Sequence, residues 1–263
     1  MLKHIAQSSL VKLFGFPATL IHGDPLVLDR WLWLKRRLPK TANGESLIDV
    51  GCGSGAFTIG AALRGYESLG LSWDSRNQKV ATERAKICSA DGARFDVYDI
   101  RNLGDRMDLR EKFDIAICLE AIEHILDDRK LMRDIATCLK PGGRLLLTTP
   151  NFYYRDITDE SGPFSQVEDG GHVRRGYTRA MLLELCSEAG LMCNEIDYCS
   201  GVLSQKVCFL LRKIAVANHL LGWAATLPLR ILPPILDGIV TRAIQWPYYS
   251  ICIEAYKPRF VRS

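Results

Sequence analysis

Glu123 and His124 stand side by side in Ala121-Ile122-Glu123-His124-Ile125, and His172 follows the acidic turn Glu168-Asp169-Gly170-Gly171 farther along the chain. A carboxylate and two imidazoles are groups that move protons near neutral pH, so Glu123, His124 and His172 are the candidates for acid–base chemistry. The structural alternatives are plain. Glu123 and His124 cap and orient a helix, and His172 holds its own loop by hydrogen bonds. A divalent-metal site from His124, His172, Glu168 and Asp169 lacks tight ligand spacing, and no metal is expected. The second chemistry-bearing stretch is Asp49-Val50-Gly51-Cys52-Gly53-Ser54-Gly55. Its glycines let the backbone turn sharply and let a ligand approach the main chain. The dinucleotide pattern GxGxxG fails because Ala56 stands at its last position, and no GK[ST] follows to cradle phosphates.

These residues need a frame to hold them. SLIDV (46–50) is a short apolar run leading into the glycine loop, which opens a helix over 57–63. Strand patterns at 66–73, 95–100, 113–120 and 144–150 alternate with the helical stretches RNQKVATERAKICSA and RKLMRDIATCLK, and PGG (141–143) predicts a turn. EIDYCSG (195–201) and YSICIEAYKP (249–258) read as the sixth and seventh strands. Continuous apolar runs joined by helical crossovers predict an α/β fold with a doubly wound, mostly parallel seven-stranded sheet. Residues 1–43 form an N-terminal helical cap, 44–263 the sheet domain, and about 202–247 a helical insertion between the last two strands. Ligands of such sheets bind at the carboxyl ends of the strands. That rule puts the loop 150–178, with Phe152, Tyr153, Tyr154, Phe164 and Tyr177, beside the acceptor and makes the insertion its roof.

DVGCGSG, FDIAICLEAIEHI and LKPGGRLLLTTPN, in this order and at ordinary spacing, resemble the class I S-adenosylmethionine-dependent methyltransferases of the small-molecule type. The resemblance covers roughly residues 45–200 and implies S-adenosyl-L-methionine as cofactor and S-adenosyl-L-homocysteine as product. It implies that Asp49 serves the cofactor ammonium while backbone N–H groups of Gly51, Cys52, Gly53 and Gly55 suit the carboxylate. Ser72 stands where such enzymes usually carry a ribose-binding acid. A similar G-L-T/S pattern in the cyclopropane fatty acid synthases points to Ser72, Trp73 and Asn77 as ribose contacts. Asp74 is either a further ribose ligand or a helix N-cap. Asp99 and Ile100 match the pair at the adenine, and Leu119 and Glu120 lie under the methionine part. Glu123, His124 and His172 fall where the active site of these enzymes is lined.

The 263 residues carry 34 basic and 30 acidic side chains, a net charge of +4 that does not mark a nucleic-acid binder. The base-methylating signature [DN]PP[FY] is absent where Leu119-Glu120-Ala121-Ile122 stands, and only RWLWLKRRLPK favours a nucleic-acid substrate. A small-molecule acceptor is therefore expected, with O-methylation ahead of C- or N-methylation and no nucleic acid. The other alternative is a cofactor-binding scaffold without catalysis. Nine cysteines without CxxC, and no convincing signal peptide, predict reduced thiols in a cytoplasmic protein. The mean hydropathy of 0.00 is high, and Leu220–Leu236 is the most apolar stretch, broken by Arg230 and three prolines. The apolar surplus of 202–247 predicts contact with a hydrophobic substrate, a membrane surface or a second copy in a homodimer.

Overall fold

A computed structural model describes residues 10–21, 24–155, 164–231 and 233–259. After a helical stretch at 10–14 come two helices, α1 (Pro17–Ile21) and α2 (Leu26–Arg37). The alternating body runs β1 (Ser46–Val50), α3 (Ala56–Ala62), β2 (Glu67–Ser72), α4 (Ser75–Ile87), β3 (Ala93–Val97), β4 (Phe113–Leu119), α5 (Asp128–Cys138) and β5 (Leu139–Pro150). It closes with α6 (Arg179–Glu188), β6 (Met192–Cys199), α7 (Val202–Ala217), α8 (His219–Thr226), α9 (Pro233–Ala243) and β7 (Ser250–Tyr256). The sequence-predicted parts at 1–9 and 156–163 lie outside the described residues.

The strands form one seven-stranded sheet in the order β3-β2-β1-β4-β5-β7-β6. All pairings are parallel except those of β7, which runs antiparallel to both β5 and β6. The strand order reverses between β1 and β4, so their carboxyl ends flank the crevice where ligands of such sheets bind. Buried runs make the inner strands: four of the five residues of β1 and six of the seven of β4 have no appreciable exposure, as a strand covered on both faces requires. Short polar side chains start the helices. Asp74 accepts from the Arg76 backbone N–H at 2.8 Å, and Asp127 from that of Lys130 at 2.9 Å. β5 begins earlier than the turn at PGG predicts, because Leu139 pairs with Phe113 before a bulge moves the register to Arg144 against Ile115.

One face of the sheet packs under α5 and α6, through Leu131, Met132, Ile135, Leu182 and Leu185. The other face is covered by α2, whose Trp31, Trp33 and Leu34 join Leu47, Ile117 and Leu146 in one core. Burying Leu34 completely contributes about 2 kcal/mol. The N-terminal segment is thus a layer of the sheet domain itself. Its basic-aromatic run is divided: Arg37 stacks on Trp33 at 4.4 Å and pairs with Glu195 at 2.7 Å and Asp197 at 3.2 Å, while Lys35, Arg36 and Lys40 are exposed.

The insertion between β6 and β7 is three helices, α7 to α9, packed on α2. Among the described residues, no helix is long and apolar enough to cross a membrane.

Candidate active site

The carboxyl ends of β1 and β4 meet almost in contact. Gly51 follows β1 at φ +89°, and a Cβ there would fall 2.6 Å from that of Ala121, so only glycine admits this closeness. On the β4 side, Glu120 holds a left-handed φ of +51°, a conformation that costs a non-glycine residue about 1–3 kcal/mol. The same residue accepts hydrogen bonds from the hydroxyls of Thr148 and Ser250, both at 2.9 Å, and faces Arg30 of α2 at 3.1 Å. Three buried polar groups, Thr148, Ser250 and Arg30, thus converge on the strained residue.

Two cavities open on either side of the glycine loop, and Gly51, Gly53, Asn77 and Glu120 belong to both. The first, about 350 Å³, is lined on one side by Ser72, Trp73, Asp99 and Ile100 and on the other by Ala121 and His124. The second, about 390 Å³, is lined by Thr19, Val27, Arg30, Cys52 and Leu119 among others. Volumes of this size suit a small-molecule ligand. Gly53 sits at φ +50° with nothing within 4 Å of the place a Cβ would occupy, so its missing side chain is part of the open space. The second cavity is lined by two buried cations: Arg84, which donates to the Ser54 hydroxyl at 2.9 Å, and Arg30, whose Nε has no hydrogen-bond partner and which stands beside the carboxylate of Glu120. A zwitterionic amino-acid end fits that pair of charges.

The loop after β5 contributes Glu168, Asp169 and Gly170 to the first cavity. It is held there by Arg101, which grips both oxygens of Asp99 and reaches Glu168 at 2.9 Å. Glu168 in turn accepts from the Leu126 N–H at 2.6 Å. The Arg101 guanidinium keeps the Asp99 carboxyl below its ordinary range. The aromatic residues expected to touch an acceptor are placed otherwise. Tyr154 packs against Tyr249, and the Tyr177 hydroxyl donates to Asp128 at 2.8 Å; Phe152 and Tyr153 are exposed.

His124 is fixed by its own ring. Nδ1 lies 2.9 Å from the Gly171 carbonyl oxygen, which can only accept, so Nδ1 carries the proton and Nε2 is the basic nitrogen of the neutral ring. His172 meets it edge to face, ring centroids 4.8 Å apart. Glu123 lies beneath, entirely buried, with one oxygen accepting from the Thr149 hydroxyl at 3.1 Å. Its other oxygen has no hydrogen-bond partner and lies 3.9 Å from His124 Nε2. Burial, with the nearby Glu120 charge, pushes the Glu123 carboxyl well above its ordinary range.

Of the sequence-predicted ligands, Gly51, Cys52, Gly53, Ser72, Trp73 and Asn77 line the cavities, as do Asp99, Ile100, Leu119 and Glu120. Four others do structural work. Asp49 lies under the loop, accepting from the Thr58 hydroxyl at 2.7 Å, and burial pushes its carboxyl up to about 7. Gly55 starts α3 at φ +78°, where a Cβ would meet Ala81 and Phe95 at 2.7 Å. Asp74 is the N-cap of α4 and lines neither cavity, and Glu123 sits behind His124. No described residue of 202–247 lines either cavity, so the expected roof is supplied instead by α1, α2 and the Glu168 turn. The reason is topological: β6 is the far edge strand, and the insertion that leaves it reaches the outer side of α2 first. Arg30 escaped the sequence reading. Its signal was an arginine on the buried stripe Leu26, Arg30, Trp33, Leu34 of an amphipathic helix.

A family model described as a methyltransferase domain matches residues 28–196. Among curated proteins the chain is 27% identical over 173 residues to the ubiquinone biosynthesis O-methyltransferase of Leptothrix cholodnii, covering 64% of this chain and 71% of that one. It is 32% identical over 108 residues to the protein of the same name from Stutzerimonas stutzeri, covering 41% of this chain and 45% of that one. Among solved structures it resembles the [4+2]-cyclase SpnF, with a TM-score of 0.61 at 19% identity over 89% of this chain and 82% of that one. It also resembles the geranyl diphosphate C-methyltransferase of Streptomyces coelicolor A3(2), at a TM-score of 0.56 and 16% identity, with 86% and 76% of the two chains covered. Those structural likenesses show the fold, which hosts more than one reaction. The family match, spanning both strands of the crevice and the glycine loop between the cavities, places the chain among the S-adenosylmethionine-dependent methyltransferases.

Proposed function

We propose that the enzyme transfers a methyl group to a hydroxyl of a small, partly apolar acceptor, with His124 as the base. The observation that carries this reading is the His124 ring on the cavity wall, its Nδ1 proton committed to the Gly171 carbonyl and Nε2 left as acceptor. The names of the O-methyltransferase relatives support a hydroxyl over an amine or carbon acceptor. Bound S-adenosylmethionine supplies an electrophilic methyl on a sulfonium, so the protein has mainly to orient the acceptor and take its proton.

In this reading the cofactor spans both cavities. Arg30 and Glu120 would hold the carboxylate and ammonium, the Gly51–Gly53 backbone the chain between, Ser72, Trp73 and Asn77 the ribose, and Asp99 with Ile100 the adenine. The Arg101–Glu168 contact holds the loop against the first cavity and limits water there. His124 accepts the hydroxyl proton at Nε2, and His172 keeps its ring in place. The setting is the cytoplasm, where reduced thiols match nine free cysteines.

Transfer of labelled methyl from S-adenosylmethionine to a panel of phenols, catechols and apolar alcohols tests the reading. His124→Asn should lower kcat by about 100-fold, as loss of a general base does, while cofactor affinity stays within about twofold. Label appearing on amines or carbon, or an unaffected variant, overturns the assignment. Tight cofactor binding with no transfer to any hydroxyl would favour the scaffold reading.

A further inference from the structure

The insertion between β6 and β7 carries its polarity the wrong way round for a surface in water. Its short polar side chains face inward. Ser204, Gln205, Thr226, Asp237 and Thr241 are all buried. They work as internal ties: Asp237 of α9 accepts from the Leu203 N–H at 2.8 Å, and Thr241 from the Val202 N–H at 2.8 Å, capping α7 from within. Large apolar side chains face out instead. Val216 is 88% exposed, Ile235 66% and Ile239 63%, with Phe209 and Leu221 beside them in the same three helices. A helix packed on a protein core and bathed in water shows the reverse pattern. A patch of this kind marks a surface that meets something apolar.

Charge narrows what it meets. From Tyr198 to Ile253 the sequence holds a single carboxylate, Asp237, which is buried as the α7 cap. The exposed charges of the insertion are therefore all cationic: Lys206, Lys213 and Arg242. Lys213 lies over the Phe209 ring at 5.4 Å, and Lys206 over the indole of Trp246 at 4.9 Å, so the cations stand beside the exposed apolar groups. Apolar side chains mixed with cations and free of anions fit a layer of hydrocarbon under anionic headgroups. Because no described helix is long and apolar enough to span, contact is with the surface of the layer.

We propose that the outer face of α7, α8 and α9 docks the enzyme on an anionic lipid bilayer. The exposed isoleucines of α9 enter the headgroup boundary, and Lys206, Lys213 and Arg242 pair with lipid phosphates.

Co-sedimentation of the full chain with vesicles tests this. Vesicles of equimolar phosphatidylcholine and phosphatidylglycerol should bind the protein at least tenfold better than phosphatidylcholine alone, and salt should weaken the binding. Ile235→Glu with Ile239→Glu, and separately Lys213→Glu with Arg242→Glu, should each reduce binding at least tenfold. Thermal midpoint and S-adenosylmethionine titration should stay as in the parent, because these side chains face away from the core. Binding that is absent, indifferent to lipid charge or indifferent to both variants overturns the proposal. So does a dimer in solution that Ile235→Glu with Ile239→Glu separates, since the face would then be an interface between copies. These readouts do not depend on which acceptor is methylated.

Discussion

Arg30 of α2 and Glu120 after β4 face each other 3.1 Å apart, the arginine buried and the glutamate mostly so on the wall of both cavities, and join the N-terminal helix to the strand end at the centre of the sheet. The pair sets two roles on one contact. Removing the arginine leaves a buried carboxylate with only the Thr148 and Ser250 hydroxyls, and losing one partner of a buried pair costs about 3 kcal/mol. Arg30→Ala should therefore lower the denaturation midpoint. It should also weaken S-adenosylmethionine by at least tenfold in calorimetric titration, about 1.4 kcal/mol. A variant that loses stability but binds the cofactor as before would confine Arg30 to a structural role.

Two glycines of the loop should fail in different ways. Gly53→Val puts a β-branched side chain into the open space shared by both cavities and should abolish or weaken cofactor binding at least tenfold, about 1.4 kcal/mol. Gly55→Ala pushes a methyl against Ala81 and Phe95 and should chiefly lower the thermal midpoint, by about 2 kcal/mol of stability. Parallel melting curves and titrations on the two variants separate the effects.

Burial pushes the Glu123 carboxyl well above its ordinary range, which favours its neutral form. Glu123→Gln should keep the Thr149 hydrogen bond and leave both folding and kcat within about twofold, since the amide is a neutral, similarly shaped replacement for a carboxyl whose charged form burial disfavours. Glu123→Ala should instead open a cavity behind His124 and cost about 2 kcal/mol. A large loss of kcat in the glutamine variant, with stability intact, would make Glu123 a participant in proton transfer.

Stability of the cofactor-free enzyme should fall as pH rises from about 4 to 7. Burial pushes Asp29 up to about 6 and Asp49 up to about 7, and raises Glu123 well above its ordinary range. The folded state thus binds more protons than the unfolded chain over this window. Deprotonating each of these buried carboxyls removes stability, up to about 1.4 kcal/mol for every pH unit between its unfolded and folded titration points. Asp49→Asn keeps an acceptor for the Thr58 hydroxyl and should flatten the dependence. Chemical denaturation at several pH values measures it. A stability that rises over this range in both proteins contradicts the assignment.

Local patterns carried most of the fold because each strand is a short apolar run closed by a turn residue, and the glycine loop leaves a mark of its own. Gly51, Gly53, Ser72 and Asp99 were legible for the same reason: each lies at or just past the carboxyl end of a strand, where the sheet brings them together, and Asn77 follows in the first turn of α4. Arg30 was not, since nothing in the order of residues says that α2 lies across β4 rather than outside the domain. Asp49 and Glu123 were found as residues but not as environments. Their burial depends on Thr58 and Thr149, which come from other elements. The lid expected of 202–247 failed on topology, because strand order, which puts β6 at the edge, has no local signal.

β6 and β7 pair up to Cys199 against Ser250, and just beyond that pair Gln205 bonds the Ser200 carbonyl at 3.1 Å, the Pro247 carbonyl at 2.9 Å and the Trp246 indole N–H at 3.0 Å. The three helices therefore hang from a hairpin that is already closed at its neck. Lengthening such a closed loop is cheap, about 0.6 kcal/mol for each doubling. Its outer face is thus free to vary in length and chemistry, whereas its inner face, where Cys208 packs with Leu26 and Arg230 donates to the Ile21 carbonyl, is tied to the layer that carries Arg30.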